Sequence, residues 1–219
     1  SILSLVFLAA CATKPESDVD TPEYHYKAGM RAVENTDYQQ AIKSFQRSID
    51  LDSKFALGFG GLGLANAKLG NNKEAKKFAS TCASKGSKDS DALALSARVW
   101  INMRESEKKW FKRAEGHLEK SLKRNKQHEG TQYWYGVAYL YSYKFNEAED
   151  YFRDVVNKRG EYSGLADSKW KLSQKIVRAM PGTPVGKKVA LKERINRADL
   201  AVLFSEELKI GVLFDRMPT

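Results

Sequence analysis

The sequence has few of the residues that build metal sites and disulfides. It contains 2 cysteines and 3 histidines in 219 residues. The histidines, His25, His117 and His128, lie far apart, and neither a His-Glu-x-x-His motif nor a cysteine cluster occurs. A nucleophile elbow and a glycine-rich phosphate loop after a strand are also missing. We therefore expect no catalytic site, no metal and no bound cofactor.

Long hydrophobic runs are scarce as well. The clearest one covers residues 2–10, which is too short to span a bilayer and has the length of a signal-peptide core. No initiator Met and no positively charged segment precede it, so the sequence looks clipped at this end. The alternative is an ordinary buried helix that begins the fold, but that would leave the abrupt change to polar residues after Cys11 unexplained.

The residues Leu8-Ala9-Ala10-Cys11 resemble the lipobox of bacterial lipoproteins. The resemblance implies that residues 1–11 end a signal peptide and that Cys11 carries a covalent lipid. It also implies an outer-membrane location, because the next residue, Ala12, is not an Asp. Residues 12–21 are expected to form a flexible linker. The other cysteine, Cys82, is then left without a disulfide partner and is interpreted as a core residue.

Small and bulky residues recur with a period of about 34, the length of one helix-turn-helix repeat. Where two antiparallel helices cross, a small residue on each allows their backbones to approach, and larger residues fill the gaps. The clear copies are Gly29, Ala41, Phe45 and Ser48; Gly63, Ala75, Ala79 and Cys82; and Gly136, Ala148, Phe152 and Val155. A weaker copy, Ala97, Ala114, Leu118 and Ser121, carries about five extra residues in its turn.

This pattern resembles that of tetratricopeptide-repeat proteins. The resemblance implies an all-α helix-turn-helix solenoid of about four repeats, with a C-terminal capping helix and a short helical tail. The expected segments are repeats at 22–55, 56–89, 90–128 and 129–162, then a capping helix and linker at 163–182. Two features depart from the family: the early Trp is absent, and the usual Pro near each repeat end is replaced by Ser53, Ser87, Lys126 and Gly160. The alternative is an unrelated helical bundle.

In this family the first helix of each repeat lines a concave binding surface. Carried over by position, the resemblance implies a peptide-binding groove formed by Tyr26, Met30, Leu64, Lys68, Arg98, Tyr133, Val137 and Tyr141. The Lys and Asn pattern of the chaperone-adaptor carboxylate clamp is not reproduced at these positions. An extended or helical peptide segment is therefore the expected ligand.

The chain is strongly basic, with a net charge of +10 and a pI near 9.4. A large part of this excess lies in residues 104–126, which contain 9 Lys or Arg and 4 Glu. Such a run indicates either a patch for anionic envelope polysaccharide or simply a solvated outer face. Nucleic acid, which basic chains often bind, is not an expected partner for an exported protein.

Residues 195–204 form a second, shorter resemblance. They resemble the Thr-Arg-Ala-Glu signature of S-layer homology modules, with Asn196 for the Thr and Asp199 for the Glu, which also predicts a capping box. The resemblance implies that residues 183–219 are part of a module that binds envelope polysaccharide, and that the chain is truncated. The alternative is a plain amphipathic helix.

These features predict a membrane-anchored scaffold for protein partners in the bacterial outer membrane, facing the periplasm or the surface. Assembly of an outer-membrane, pilus or secretion complex is the expected role. The alternative function is a surface protein that binds envelope polysaccharide through residues 183–219.

Overall fold

The computed structural model describes residues 14–15, 17–192 and 194–207, and these residues form helices and turns without any strand. The helices are α1 Pro22–Glu34, α2 Tyr38–Leu51, α3 Ala56–Lys68, α4 Asn72–Lys85, α5 Ser90–Asn102, α6 Trp110–Arg124, α7 Glu129–Tyr141, α8 Phe145–Lys158, α9 Ser163–Ala179, α10 Pro184–Ala190 and α11 Arg197–Glu206. The expected fold class, an all-α helical repeat architecture, is confirmed. The predicted signal peptide and Cys11 lie outside the described residues, as does the tail after residue 207.

The chain divides into two compact units, with the boundary between Thr131 and Gln132. In the first unit α1 packs on α2, α3 on α4, and α5 on α6. Each pair also contacts the next, because α2 packs on α3 and α4 on α5, while the first helices α1, α3 and α5 contact one another in order. The core of this unit therefore runs from pair to pair, as in repeat proteins.

The second unit contains most of α7, together with α8 to α11. Phe152 of α8 is fully buried beside Gly136 of α7, and α9 packs on α8 at the place predicted for the capping helix. The helical tail consists of α10 and α11, which contact each other. Glu207 joins them, because its carboxylate accepts hydrogen bonds from the Thr183 N–H (2.7 Å) and hydroxyl (2.6 Å) at the start of α10.

The glycines of the repeat make room for a neighbouring helix. A Cβ at Gly29 would lie 2.5 Å from the Phe45 ring, and one at Gly136 would lie 2.7 Å from the Phe152 ring. In both pairs the closest group is thus a ring four residues after the repeat's alanine. These close approaches are the physical reason for glycine at this position.

In the second pair the two helices also pack closely, but no aromatic ring lies at their crossing. A Cβ at Gly63 would lie 3.4 Å from the Ala75 carbonyl oxygen and 3.3 Å from the Ala79 nitrogen. Ala75 and Ala79 are fully buried. Here the small residues expected at the helix crossing face each other directly, so backbone packs close to backbone.

The turns inside three of the four pairs share one hydrogen-bond pattern. After α1 the Thr36 N–H donates to the Val33 carbonyl (3.1 Å), and the Asp37 N–H donates to the Ala32 carbonyl (2.9 Å). This is the Schellman motif, and it requires a left-handed residue, here Thr36 with φ 61°. The corresponding residues after α3 and α7 are Gly70 (φ 78°) and Tyr143 (φ 64°).

The third pair has the longer turn that the sequence predicts. Residues 103–109 connect α5 to α6, whereas residues 35–37 connect α1 to α2. Met103, at the start of the longer connection, is only 1% exposed. Met103 therefore belongs to the core, whereas residues 104–109 are exposed or half-buried.

Candidate functional site

The predicted groove residues of the first unit differ in exposure. Tyr26 and Met30 on α1 are half-buried, as is Arg98 on α5. Lys68 at the end of α3 is exposed, but Leu64 one turn earlier is fully buried. Leu64 is thus part of the core and cannot reach a ligand while the repeat is folded.

The accessible groove residues lie on neighbouring first helices, because α1 packs on α3 and α3 on α5. Tyr26 lies against two rings, with centroid distances of 5.9 Å to Phe45 and 6.0 Å to Phe55. Although Lys68 is exposed overall, partial burial of its ammonium group, together with the positive charges of Arg98 and Arg104, lowers its pKa. This surface therefore combines an aromatic anchor at one end with clustered positive charge at the other.

The predicted groove residues of the second unit are mostly buried. Tyr133 is 7% exposed and Val137 4% exposed, so their side chains belong to the core. The Tyr133 ring lies 5.9 Å from that of Phe152 and 5.2 Å from that of Tyr162. Tyr141 is half-buried and lines a small cleft of about 270 Å³. The other lining residues of that cleft are Leu140, Ser168, Lys169, Leu172 and Leu191.

A second candidate site lies along α6, in the basic run. A cleft of about 380 Å³ is lined by Lys109, Lys112, Arg113, Gly116, His117 and Lys120. Sequence reasoning found the positive charge but not the cleft, and it interpreted His117 only as an isolated histidine. The signal that it missed was Gly116, a glycine inside an otherwise strong helix pattern.

His117 is half-buried beside the cationic groups of α6. Its Nδ1 atom is buried, and no described group forms a hydrogen bond with it. Burial, with the nearby charges of Lys120 and Arg113, lowers the pKa of His117 to about 4. The imidazole is therefore neutral near pH 7.

The other two histidines take part in structural networks. His25 Nε2 lies 2.6 Å from Oδ1 of the buried Asp20, which also pairs with Arg47 of α2. This arrangement ties the start of α1 to the second helix of its pair.

His128 lies between α6 and α7 and contacts other residues of the first unit through both ring nitrogens. Its Nδ1 lies 2.6 Å from the Thr131 hydroxyl and its Nε2 lies 3.1 Å from Asp91 Oδ1. This hydrogen bond lowers the pKa of Asp91. The Thr131 hydroxyl also lies 2.5 Å from that of Ser121. The order hydroxyl, imidazole, carboxylate resembles a catalytic triad, but Thr131 is fully buried, so no substrate can reach its hydroxyl.

The predicted cap of α11 is confirmed. The Asn196 side chain accepts from the Asp199 N–H (2.9 Å), and the Asp199 side chain accepts from the Asn196 N–H (3.1 Å). Lys192 pairs with Asp199, and this contact lowers the pKa of the carboxyl. Leu200 and Phe204 of α11 are 40% and 42% exposed. Whether this helix belongs to a polysaccharide-binding module stays a prediction.

In the part of the chain that the structure describes, no group of three or more His, Cys, Asp or Glu side chains is placed to hold a metal ion. Among the same residues, no helix has both the length and the apolar character needed to cross a membrane. No family model matches the sequence, and no curated protein matches it.

Proposed function

We propose that this chain is a helical-repeat scaffold that binds protein partners in a bacterial cell envelope, where a lipid on Cys11 anchors it to the outer membrane. The observation that carries the proposal is the recurrence of one helix-turn-helix unit, with equivalent left-handed turns at Thr36, Gly70 and Tyr143. Stacked units of this kind expose the faces of successive helices as an extended surface. Such a surface suits the binding of a peptide segment.

The accessible residues of the predicted groove indicate the chemistry of the partner. Met30 and Tyr26 offer adaptable apolar contacts, which are typical of protein interfaces. Lys68 and Arg98 add positive charge on the next two first helices. The partner segment is therefore an extended or helical peptide that carries apolar anchors and acidic side chains.

The tetratricopeptide resemblance and the lipobox support the same role from the sequence. A lipid on Cys11 would attach the repeats to a membrane through residues 12–21. The polar residues at the start of this segment give the repeats reach from the membrane surface, whereas Asp20 near its end is buried and pairs with Arg47 of α2. A tethered repeat array can then hold a partner at the membrane without any chemical step.

Crosslinking from defined positions tests the groove. A photo-crosslinking residue at Met30 or Lys68 should yield the same protein adduct in cells, while one at the exposed Lys43 of α2 should not. The double substitution Met30→Ala with Lys68→Glu should remove the adduct formed from a crosslinker at Tyr26. Equal adducts from Lys43, or an unchanged adduct in the double variant, would contradict the groove assignment.

The anchor and the alternative function need separate measurements. Metabolic labelling with a fatty-acid analogue should mark the chain, and Cys11→Ser should abolish both the label and its sedimentation with outer membranes. Binding to isolated cell walls that disappears when residues 183–219 are deleted would instead favour the polysaccharide-binding function.

A further inference from the structure

We propose that the cleft along α6 is a binding site for phosphoryl groups, formed by Lys109, Lys112, Arg113 and Lys120 around Gly116 and His117. This surface is separate from the predicted peptide groove, and the inference does not depend on the proposed scaffold function. Three independent observations support it.

The first observation is the alignment of the cations. The lining residues recur at intervals of three and four, so they form one stripe along a single face of the helix. With a rise of about 1.5 Å per residue, the stripe from Lys109 to Lys120 is roughly 16 Å long. Within the described residues, the ammonium groups of Lys109, Lys112 and Lys120 form no ion pair or hydrogen bond.

Arg113 is exposed and lies near an aromatic ring of α5. Its guanidinium lies 5.9 Å from the centre of the buried Trp100 ring. Glu107, which precedes α6, is paired with Lys76 of α4, and the charge of Arg113 also lowers the pKa of the Glu107 carboxyl. The residues that line the cleft include no carboxylate, so the charges of Lys109, Lys112 and Lys120 are not neutralised within it.

The second observation is Gly116. Glycine inside a helix destabilises it relative to alanine, and it normally has a packing reason. A Cβ at Gly116 would have nothing within 4 Å, so packing does not require glycine here. The equivalent residues of the other second helices are charged: Lys43, Lys77 and Asp150. The missing side chain of Gly116 instead leaves the helix backbone accessible at the base of the cleft, here called the open floor, so that a ligand can approach it.

The third observation is the His117 imidazole. Its buried Nδ1 has no hydrogen-bond partner among the described groups, and an unsatisfied buried polar atom is unfavourable. An anion in the cleft would place an acceptor beside the ring. In the tautomer with its proton on Nδ1, the neutral ring adds one donor to those of the lysines and the Arg113 guanidinium.

The ligand chemistry follows from the number of charges. Four cations around one cleft are best matched by groups that carry more than one negative charge each. A phosphomonoester has a charge of about −1.5 to −2 and three strong acceptor oxygens, whereas a carboxylate has one charge. The guanidinium of Arg113 also fits phosphate oxygens in a bidentate geometry. Free phosphates and phospholipid headgroups share this chemistry.

Titration calorimetry of the full chain with inorganic pyrophosphate tests the site, with the Cys11→Ser substitution present so that no acyl chain contributes. We expect saturable binding that weakens at high salt. The variant Lys112→Gln with Lys120→Gln should bind roughly tenfold more weakly or worse, since two charge-assisted contacts are lost. The control Lys108→Gln with Lys123→Gln removes the same charge from residues outside the cleft and should change the affinity less than about twofold.

Gly116→Leu separates binding from folding. Leucine is a better helix former, so the melting temperature should rise, while its side chain fills the open floor and should weaken pyrophosphate binding roughly tenfold. In wild-type protein, saturating pyrophosphate should shift the imidazole nitrogen resonances of His117 and leave those of His25, which contacts Asp20, unchanged.

Two further arms identify the source of the phosphoryl group. Co-sedimentation with vesicles of phosphatidic acid in phosphatidylcholine, lost in the Lys112→Gln, Lys120→Gln variant, would assign a lipid headgroup. Pyrophosphate binding without vesicle binding would assign a soluble phosphate. The proposal is overturned if pyrophosphate does not saturate the protein or if both double variants lose equal affinity. It is also overturned if the carboxylate polymer polygalacturonate binds and pyrophosphate does not.

Discussion

The first two helix pairs have the same turn geometry but fill their interiors differently. In the first pair the buried Phe45 ring lies between two glycines, since a Cβ at Gly29 or Gly61 would come within 2.5 or 2.3 Å of it. In the second pair the equivalent residue is Ala79, and Gly63 lies against the backbone of α4 instead. The positions of the helix crossings are thus the same in both repeats. The space at the crossing is filled by an aromatic ring in the first pair and by the closely approaching backbone of α4 in the second.

The burial of its glycines changes the interpretation of helix α3. Its composition predicts the least stable helix of the array, because exposed glycines in a helix are unfavourable. The structure buries the four glycines of this helix, Gly58, Gly60, Gly61 and Gly63. A Cβ at the first three would lie 2.3–2.6 Å from a neighbouring side chain, so alanine would lose more in packing than it gains in helix propensity. The stability of α3 itself stays a prediction.

The largest expected effect comes from removing the ring that distinguishes the two pairs. Phe45→Ala should lower the free energy of unfolding by about 3–5 kcal/mol, because the ring is fully buried and leaves a cavity. Urea unfolding followed by circular dichroism measures this. Tyr24→Ala removes a ring of the same helix pair that is 49% exposed and should cost less than about 0.5 kcal/mol. Equal effects of the two substitutions would show that the first pair does not depend on its ring.

The glycines around Phe45 should show the next largest effect. Gly61→Ala and Gly29→Ala should each destabilise the protein by about 1–3 kcal/mol, because each new methyl group overlaps the ring. In a Phe45→Leu background the cost should shrink by at least about 0.5 kcal/mol, which a double-mutant cycle measures.

Gly116→Ala is the matched control for these glycine substitutions. A Cβ there meets nothing within 4 Å, so alanine should stabilise the helix by up to about 1 kcal/mol. In the double-mutant cycle with Phe45→Leu, additive effects would mean that Gly29 and Gly61 do not contact Phe45.

The turns should respond in opposite directions, although their geometry is the same. Thr36→Gly should stabilise the protein by about 1 kcal/mol, because a β-branched residue at φ 61° is strained. Gly70→Ala should destabilise it by about 1 kcal/mol, and the backbone conformation is the only cause, since an added Cβ would have open space. Thermal unfolding of both variants measures the difference. A shift of the same sign in both would contradict the shared geometry.

The smallest expected effect is at the start of the second helix of each pair. The Asp37 carboxylate accepts from the Gln40 N–H at 3.0 Å, so Asp37→Ala should cost about 1 kcal/mol and speed hydrogen exchange at the first turn of α2. Asn71, the equivalent residue in the second pair, forms no such cap. Exchange at the start of α4 should therefore already be faster in wild-type protein. Asp50→Ala, an exposed change later in α2, serves as the control and should have little effect.

The bounds of the first two helices could be predicted to within one residue. The sequence predicts helices at 23–35 and 38–51, and the structure has α1 at Pro22–Glu34 and α2 at Tyr38–Leu51. These signals are local, because caps, turn residues and the apolar period act within a few residues of one another. The capping box at Asn196 was predictable for the same reason.

The exposure of the groove residues could not be predicted in this way. Family positions place Leu64, Val137 and Tyr133 on a binding surface, but the structure buries them. Lys68 is exposed although it follows Leu64 by only one turn. The helical period fixes the direction in which a side chain points, but not which other helix covers it. Burial therefore depends on partners that are distant in the chain.

The sequence alone therefore determined an all-α chain with a period of about 34 residues, the bounds of its first two helices and the concentration of positive charge in residues 104–126. Only the tertiary structure decided that Phe45 lies between two glycines, that the helix surface at Gly116 is open and that His117 Nδ1 has no hydrogen-bond partner among the described residues. The physical reason is range. Helix propensity and capping depend on residues that are neighbours along the chain. Clefts and buried contacts are formed by side chains that come together only when the chain folds.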